Sequence, residues 1–555
     1  MWDKALVVGA YFGVLLLIGF VARRWTRSTA EDYFIASRSL SPIVLFLTMA
    51  ATNFSAFTVF GFSGAGWRQG YAFYPIMAFG TGFMALSFHF IGRAVWQLGK
   101  KKGLFTPPEL VFDRFASYPL RFLFLAVMAV FTVPYLAMQP MAAGFVLEQL
   151  LGIPYFAGAA LITVVMLVYT LSGGFRAIAW TDVFQGTMMF VLLVVALAII
   201  SSSFGGLSAA NNLAASRWPE LFSRPGMGGA FSPGIWCGYL LLWFFADPML
   251  PQMFQRFYAA RDKRALGTAM AIYPLITAIL FLLPVSLGVL GRLAYPELPM
   301  ETNSDQILPL LLGRYVSGPL EALVLTAALA ALMSTLDSQL LSLSSMLTRD
   351  LVEPLFYRHT STQDMASKRT STWLGRLFVA GLALAGLGIA WHPPATFLEI
   401  ATEAFSGLAV LFPTVLATLY WKRATAKGAF ASILIGEGLV VLYHFELLPN
   451  LGLLPVVPVV AATTLTLIVV SLITRSDTSV KVPIEVGVKK LGGTALWGGV
   501  FLLLFALGND YWAWGNSGLG PLGYPWWLWY SFALCLLTAL AFWGFSRREN
   551  YDNKR

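Results

Sequence analysis

Only two of the 555 residues are cysteine and only four are histidine. Cys237 and Cys535 both lie in apolar stretches, and His89, His359, His392 and His444 are scattered without ligand spacing. A disulfide framework, a zinc site and a haem site are therefore not indicated. A Ser–His dyad, an HExxH helix and a Gly-rich phosphate cradle are missing too, which argues against an intramembrane enzyme. Charge is scarce as well. Asp, Glu, Lys and Arg make up 12% of the chain against 58% hydrophobic residues, and the mean hydropathy is +0.71. A soluble chain of this length carries far more charge, so the balance predicts an all-α polytopic membrane protein. The net charge of +10 does not point to nucleic acid, because the basic residues gather in short segments between apolar runs.

The first apolar run, Ala5 to Val21, ends in ARRWTR without a basic n-region or a small-residue cleavage site, so a retained helix is expected. Further spans are expected at 43–66, 71–97, 118–149, 153–173 and 177–202. After a polar segment, 203–231, come 232–255, 265–291, 318–347, 374–391, 396–420, 427–445, 452–474, 493–508 and 526–546. Together they predict about fifteen transmembrane helices in one membrane domain covering 1–555. With the N-terminus outside, most of the 37 Lys and Arg collect on one side, Arg256, Arg261, Lys263 and Arg264 among them in an inner loop. That bias predicts a cytoplasmic C-terminus in a cell (inner) membrane.

Polar residues inside such spans are costly and therefore informative. Ala330 to Leu351 reads AALMSTLDSQLLSLSSMLTRDL. At 100° per residue, Ser334, Thr335, Ser338, Ser342 and Ser345 fall within about a 100° arc, with Asp337 about 60° outside it. A charge at membrane depth costs from about 3 to more than 10 kcal/mol, so this face belongs in a bundle interior or a wet cavity. Either the hydroxyls bind neighbouring helices together, or they are hard oxygen ligands for an alkali cation. Two spans look broken: 43–66 carries ATNFSAF followed by GFSGAG, and 232–255 carries FFADPMLPQ, where Pro248 and Pro251 remove backbone donors beside Asp247. Counted from the second span, these open two successive groups of five, whose insertions must be opposite because five is odd. Matched breaks in inverted halves point to a transporter's midplane site.

DYFIASRSL (Asp32 to Leu40), GGFRAIAWTDVFQ (Gly173 to Gln185), AALMSTLDSQLL and PTVLATLYWKRATAKGA (Pro413 to Ala429) follow one another along the first ten to eleven spans. In these motifs the chain resembles the sodium:solute symporter family, which includes proline, pantothenate and sugar cotransporters. The resemblance implies a LeuT-like five-plus-five inverted repeat. On it, 1–40 is an extra helix with its inner loop, 41–202 and 232–420 are the repeats, and 427–555 holds about four further helices. It implies a sodium site made by backbone carbonyls of Ala51 and Phe54 with Ala331, Ser334 and Thr335. In some relatives a second sodium is held by the Asp of the WTD block and hydroxyls one turn further along the ninth helix. Here those positions are Asp182, Asp337 and Ser338, with a carboxylate where such relatives have a hydroxyl, so the second ion is sodium, a proton or nothing. Two carboxylates sharing a dry pocket do not both stay ionised without a cation between them.

The breaks nominate Thr52, Asn53, Ser55, Trp243, Phe244 and Asp247 as solute contacts, with Phe405 and Ser406 as a gate. Proline-type relatives usually carry Asp where this chain has Asn53, and the sugar-type polar set is not reproduced. Asp247 would meet an ammonium group, or else cap a half-helix. Glu437, isolated in the twelfth span, is either a proton relay or a hydrogen-bonded acid. The expected function is sodium-coupled import of a small polar solute, amino-acid-like or a carboxylate metabolite, by alternating access. The alternatives are a proton-coupled transporter and a symporter-like sensor, which the short polar tail RRENYDNKR would oblige to signal through a separate chain. Expected partners are the solute, the lipid bilayer and sodium as coupling ion, with no other cofactor, no nucleic acid and no obligatory protein partner.

Overall fold

A computed structural model describes residues 2–26, 29–298, 302–356, 365–474 and 494–552, and no β-strand forms among them. α1 (Trp2–Arg23) leads through α2 (Ala30–Ile35) into α3 (Pro42–Asn53), whose start is set by Ser41 accepting from the Val44 N–H and by Pro42 in the first turn. α4 (Phe62–Gln69), α5 (Phe73–Met84), α6 (Arg93–Lys102) and α7 (Pro107–Phe115) follow. Next come the long α8 (Tyr118–Leu151) and α9 (Tyr155–Ser202). α10 (Leu207–Arg217), α11 (Pro233–Ala246), α12 (Pro251–Ala259), α13 (Lys263–Ala294), α14 (Ile307–Tyr315) and α15 (Gly318–Met346) make the middle of the chain. α16 (Glu353–Phe356), α17 (Met365–Ile389), α18 (Phe397–Ala409) and α19 (Leu411–Tyr420) precede the peripheral α20 (Ala426–His444), α21 (Val456–Ile473), α22 (Thr494–Leu507) and α23 (Trp526–Asp552).

Ten helices among the described residues are long and apolar enough to cross a membrane, where the sequence predicts about fifteen spans. The difference has a physical origin. A span needs about 20 residues of unbroken helix, and several expected spans are broken or fused. The run 43–66 divides into α3 and α4, and 232–255 into α11 and α12. The runs 153–173 and 177–202 join as α9, where only Gly174 leaves helical geometry (φ 56°, ψ −154°). The run 493–508 becomes the 14-residue α22. The polar segment 203–231 is not all loop, since it holds α10.

The core lies where α3, α9, α12, α13 and α15 pack together. α15 is buried along nearly its whole length, including Ser334, Thr335, Asp337, Ser338, Gln339, Ser342 and Ser345, so its polar face meets protein. α4 lies against α13 through glycines, and a Cβ on Gly288 would run into the Ser63 carbonyl oxygen. Backbone cannot swing aside as a side chain can, so Gly288→Ala is expected to destabilise by about 1–3 kcal/mol. A thermal unfolding midpoint in detergent several degrees below the parent checks this, and an unchanged midpoint refutes the close approach.

Candidate functional site

α3 stops at Asn53 because Phe54 adopts non-helical angles (φ −89°, ψ 85°), and the chain resumes in a π-helical turn over Phe57–Gly61. Around this break the backbone meets α15. Ser334 Oγ donates to the Ala51 carbonyl (2.8 Å) and to the Ala331 carbonyl (3.0 Å). Thr335 Oγ1 donates to the Thr52 carbonyl (3.0 Å) and reaches the Ala331 carbonyl at 3.4 Å. Ala51, Ala331, Ser334 and Thr335 thus converge on one buried point, while Phe54 supplies the turn that opens the helix there. The oxygens are hard and uncharged, and hydroxyls can rotate their hydrogens away to present lone pairs to a cation.

One turn further along α15 lies a cluster of charges. Arg256 of α12 is fully buried; its Nη2 donates to Asp182 Oδ2 (2.8 Å) and Ser338 Oγ (2.8 Å), and its Nε to Thr48 Oγ1 (3.1 Å). Thr48 in turn donates to Asp182 in a short bond. Asp337 accepts from Tyr169 (2.9 Å) and Ser338 (3.4 Å). Asp182 and Ser338 thus share the Arg256 guanidinium, and Asp337 adjoins Ser338. Arg256 does not lie in an inner loop as the sequence predicts. The helix restarts at Leu250–Pro251, with proline in its first turn, and Arg256 follows inside α12 before any loop begins.

The solute-contact residues divide. Asn53 Nδ2 donates to Tyr273 (2.8 Å), and its side chain also faces Asp247. Ser55 shares a hydrogen bond with Tyr135 (2.9 Å), and Gln139 accepts the Ala56 N–H (3.0 Å). Phe405 stands edge-on to both Trp243 (5.1 Å between ring centroids) and Tyr135 (5.1 Å). Thr52 Oγ1, Trp243 Nε1 and Asp247 Oδ2 are buried with no hydrogen-bond partner among the described residues. α12 begins without a side-chain cap, so nothing assigns Asp247 that role. Two nominated residues fall outside this group. Phe244, one residue from Trp243 and so turned about 100° away, packs with Phe83, Phe90 and Phe412. Ser406 Oγ is spent on the Thr402 carbonyl of its own helix (2.7 Å). Glu437 lies on α20, which packs mainly on α21 and also on α8, with neither carboxylate oxygen bonded among the described residues.

At the other end of α4, Arg68 pairs with Asp305 (3.7 Å) and bonds Ser304, while Asp305 Oδ2 accepts the Phe397 N–H at the start of α18 (2.7 Å). Burial pushes the Asp305 carboxyl up to about 6, against the pull of Arg68 and that N–H. One ion pair thus ties α4, the 304–306 turn and α18 together beside a cavity of about 540 Å³ lined by Asn303, Thr396 and Glu399. Tyr135, Gln139, Tyr273, Thr48, Tyr169 and Arg256 escape a reading of the sequence alone. Only Arg256 leaves a signal there, in its distance past Pro251.

Residues 33–436 match the model of the sodium:solute symporter family. The sodium/pantothenate symporter of Escherichia coli (strain K12) is 31% identical over 455 residues, covering 81% of this chain and 92% of that one. The high-affinity proline transporter PutP of Bacillus subtilis (strain 168) is 29% identical over 473 residues, covering 83% and 96%. Among solved structures, a substrate-bound, outward-open Na+-coupled sialic acid symporter superposes with a TM-score of 0.70 at 18% identity, over 85% of this chain and 98% of that one. Mhp1, a nucleobase-cation-symport-1 family transporter, superposes with a TM-score of 0.53 at 13% identity, over 79% and 92%. At such identities the structural likeness shows the fold, which is that of the LeuT-like symporters.

Proposed function

The chain belongs to the sodium:solute symporter family and is a multi-span membrane transporter rather than an enzyme; from that premise we propose that it imports a small polar organic solute bearing an amine, coupled to sodium, by alternating access. The observation that carries this reading is the meeting of the Ala51, Thr52 and Ala331 carbonyls with the Ser334 and Thr335 hydroxyls at the break of α3. An unwound turn frees carbonyls that lipid cannot satisfy and a cation can. In this reading Phe54 adds its carbonyl, 41–202 and 232–420 are the two inverted repeats, and the whole chain makes about fifteen crossings. The N-terminus is outside and the C-terminus cytoplasmic, in the cell (inner) membrane.

The second cation position is filled by the protein itself. Arg256 supplies the positive charge that Asp182 and Asp337 require, so one sodium moves per solute and no proton is carried. The solute sits between the breaks, with its ammonium on Asp247 and its carbon skeleton against Trp243, Phe405 and Tyr135. A buried carboxylate with one oxygen unmet favours a cationic partner over a sugar or a plain carboxylate.

The test is concentrative uptake by proteoliposomes across a panel of amino acids, amines, carboxylates and sugars, with and without a sodium gradient. At about 100 mV one charge supplies about 2.3 kcal/mol, and a tenfold sodium gradient adds about 1.4 kcal/mol. Together these allow accumulation of about 500-fold per ion. Uptake that a proton gradient drives without sodium overturns the reading. Asp247→Asn keeps the shape and removes the charge, and at saturating sodium it is expected to raise the half-saturating solute concentration about tenfold or more. Parent affinity in that variant takes Asp247 out of the solute site.

A further inference from the structure

Two glutamines in the core have no part in the site described above. Gln252 of α12 and Gln339 of α15 are fully buried, and none of their four amide atoms has a hydrogen-bond partner among the described residues. Each unmet amide costs about 1–3 kcal/mol, and buried polar groups are normally paired. Their neighbour Gln255 is fully engaged: Oε1 accepts from Ser342 (2.5 Å) and Nε2 donates to Ser345 (3.1 Å).

Those bonds set the register of α12 against α15. The two helices run in the same direction, because their far ends reach one place: Tyr258 donates to the Thr106 carbonyl (3.1 Å), and Arg349 pairs with Glu109 (2.8 Å). Gln252 is three residues before Gln255 and Gln339 three before Ser342, so the two amides stand at the same level of the seam between the helices. Gln339 is also one turn beyond Thr335 on the polar face of α15. From the break of α3 outward, the seam therefore presents Thr335, then Gln252 and Gln339, then Gln255 with Ser342, then Ser345. It leads toward the end of the bundle where α12 packs on α6, whose last turn carries Lys100, Lys101 and Lys102, and where Arg261 and Lys263 follow α12 in the chain.

We propose that Gln252 and Gln339 form a second, transient alkali-cation site that receives sodium, partly hydrated, as it leaves the Ser334/Thr335 site toward the basic end. The inference rests on the sodium reading of that first site. Two amide oxygens are hard, neutral ligands suited to an alkali ion, and the amide N–H groups hold the water it carries. The fixed charge beside the pair is already balanced: the Arg256 guanidinium, whose Nη1 donates to the Gln252 backbone carbonyl (3.0 Å), is paired with Asp182 (2.8 Å). Neutral ligands hold the ion weakly enough for it to move on.

The experiment replaces both amides with apolar side chains of similar length, Gln252→Met with Gln339→Met, in proteoliposomes. Net sodium-driven uptake requires sodium to be released inside, whereas exchange of labelled solute with sodium equal on both sides does not. Net uptake is expected to fall about tenfold or more, because a release step that was fast becomes limiting. Exchange and the half-saturating sodium concentration are expected to stay within about twofold of the parent. The unfolding midpoint should not drop, since exchanging unmet amides for apolar groups of the same shape is neutral or stabilising. Parent rates of net uptake overturn the proposal, and so do net uptake and exchange that fall together with a lowered midpoint, the mark of a structural role. Gln339→Glu provides the same readout from a charged group that holds the ion longer: net uptake slowed and exchange kept, with parent behaviour again overturning the site. Failure of the underlying sodium reading is seen separately, as parent uptake indifferent to sodium.

Discussion

Arg256→Met is expected to destabilise the protein by about 3–5 kcal/mol, because it leaves Asp182 buried without its ion-pair partner. Asp182 then keeps the Thr48 hydroxyl, and Asp337 those of Tyr169 and Ser338. On the scale of about 1.4 kcal/mol per decade, that corresponds to a fall of about a hundredfold or more in the folding equilibrium constant. Pairing the change with Asp182→Asn should recover much of the loss, since removing both charges of a buried pair is far gentler than removing one. Arg256→Lys is not a conservative exchange here, because a single ammonium cannot span Thr48, Asp182 and Ser338 as the planar fork does. Transport gives the more specific signature. With the guanidinium gone and both carboxylates present, sodium can take the vacated position, and the sodium Hill coefficient of surviving uptake should rise from about one toward about two. A parent Hill coefficient already near two, with Arg256 in place, contradicts the resident-cation reading. Unchanged stability in Arg256→Met contradicts the ion pair itself.

Ser334→Ala combined with Thr335→Ala is expected to raise the sodium concentration for half-maximal uptake by about tenfold or more, or about 1.4 kcal/mol of lost cation binding. Both hydroxyls are buried, and each touches a carbonyl freed near the break of α3. Removing them withdraws two oxygens from the cation and leaves the Ala51 and Thr52 carbonyls short of a donor, so the loss is one of ligands and of local polarity together. Thr335→Ser keeps the hydroxyl and should stay close to the parent. Solute affinity at saturating sodium should change little, since Asn53, Trp243 and Asp247 are untouched. Protein that inserts normally and keeps the parent sodium dependence would sink the assignment of these residues.

The two signatures differ in how much of their basis is written in the chain. Ser334 and Thr335 stand at helical spacing in one run, and the residues that interrupt α3 and divide α11 from α12 are local in sequence. Pattern reading therefore finds them. Arg256 follows from the same local rule once the restart of the helix at Pro251 is placed, and a threading that ends the helix at 255 misses it by one residue. Phe244 shows the opposite failure. It adjoins Trp243 in sequence, yet a rotation of about 100° per residue sends it to another cluster, and only the packing of α11 shows which of two adjacent aromatics meets Phe405.

By itself the sequence determined that the chain is helical and membrane-embedded, where its helices break and which faces are polar. Those properties depend on composition and on periods of a few residues, which lipid enforces by penalising every uncovered polar group. The tertiary structure alone decided which polar groups meet. Asp182 and Arg256 are separated by 74 positions and Ser334 and Ala51 by 283, yet each pair is in hydrogen-bond contact. No local preference encodes such distances. They are set by how α3, α9, α12 and α15 pack, and that same packing leaves the side-chain amides of Gln252 and Gln339 buried with no hydrogen-bond partner among the described residues.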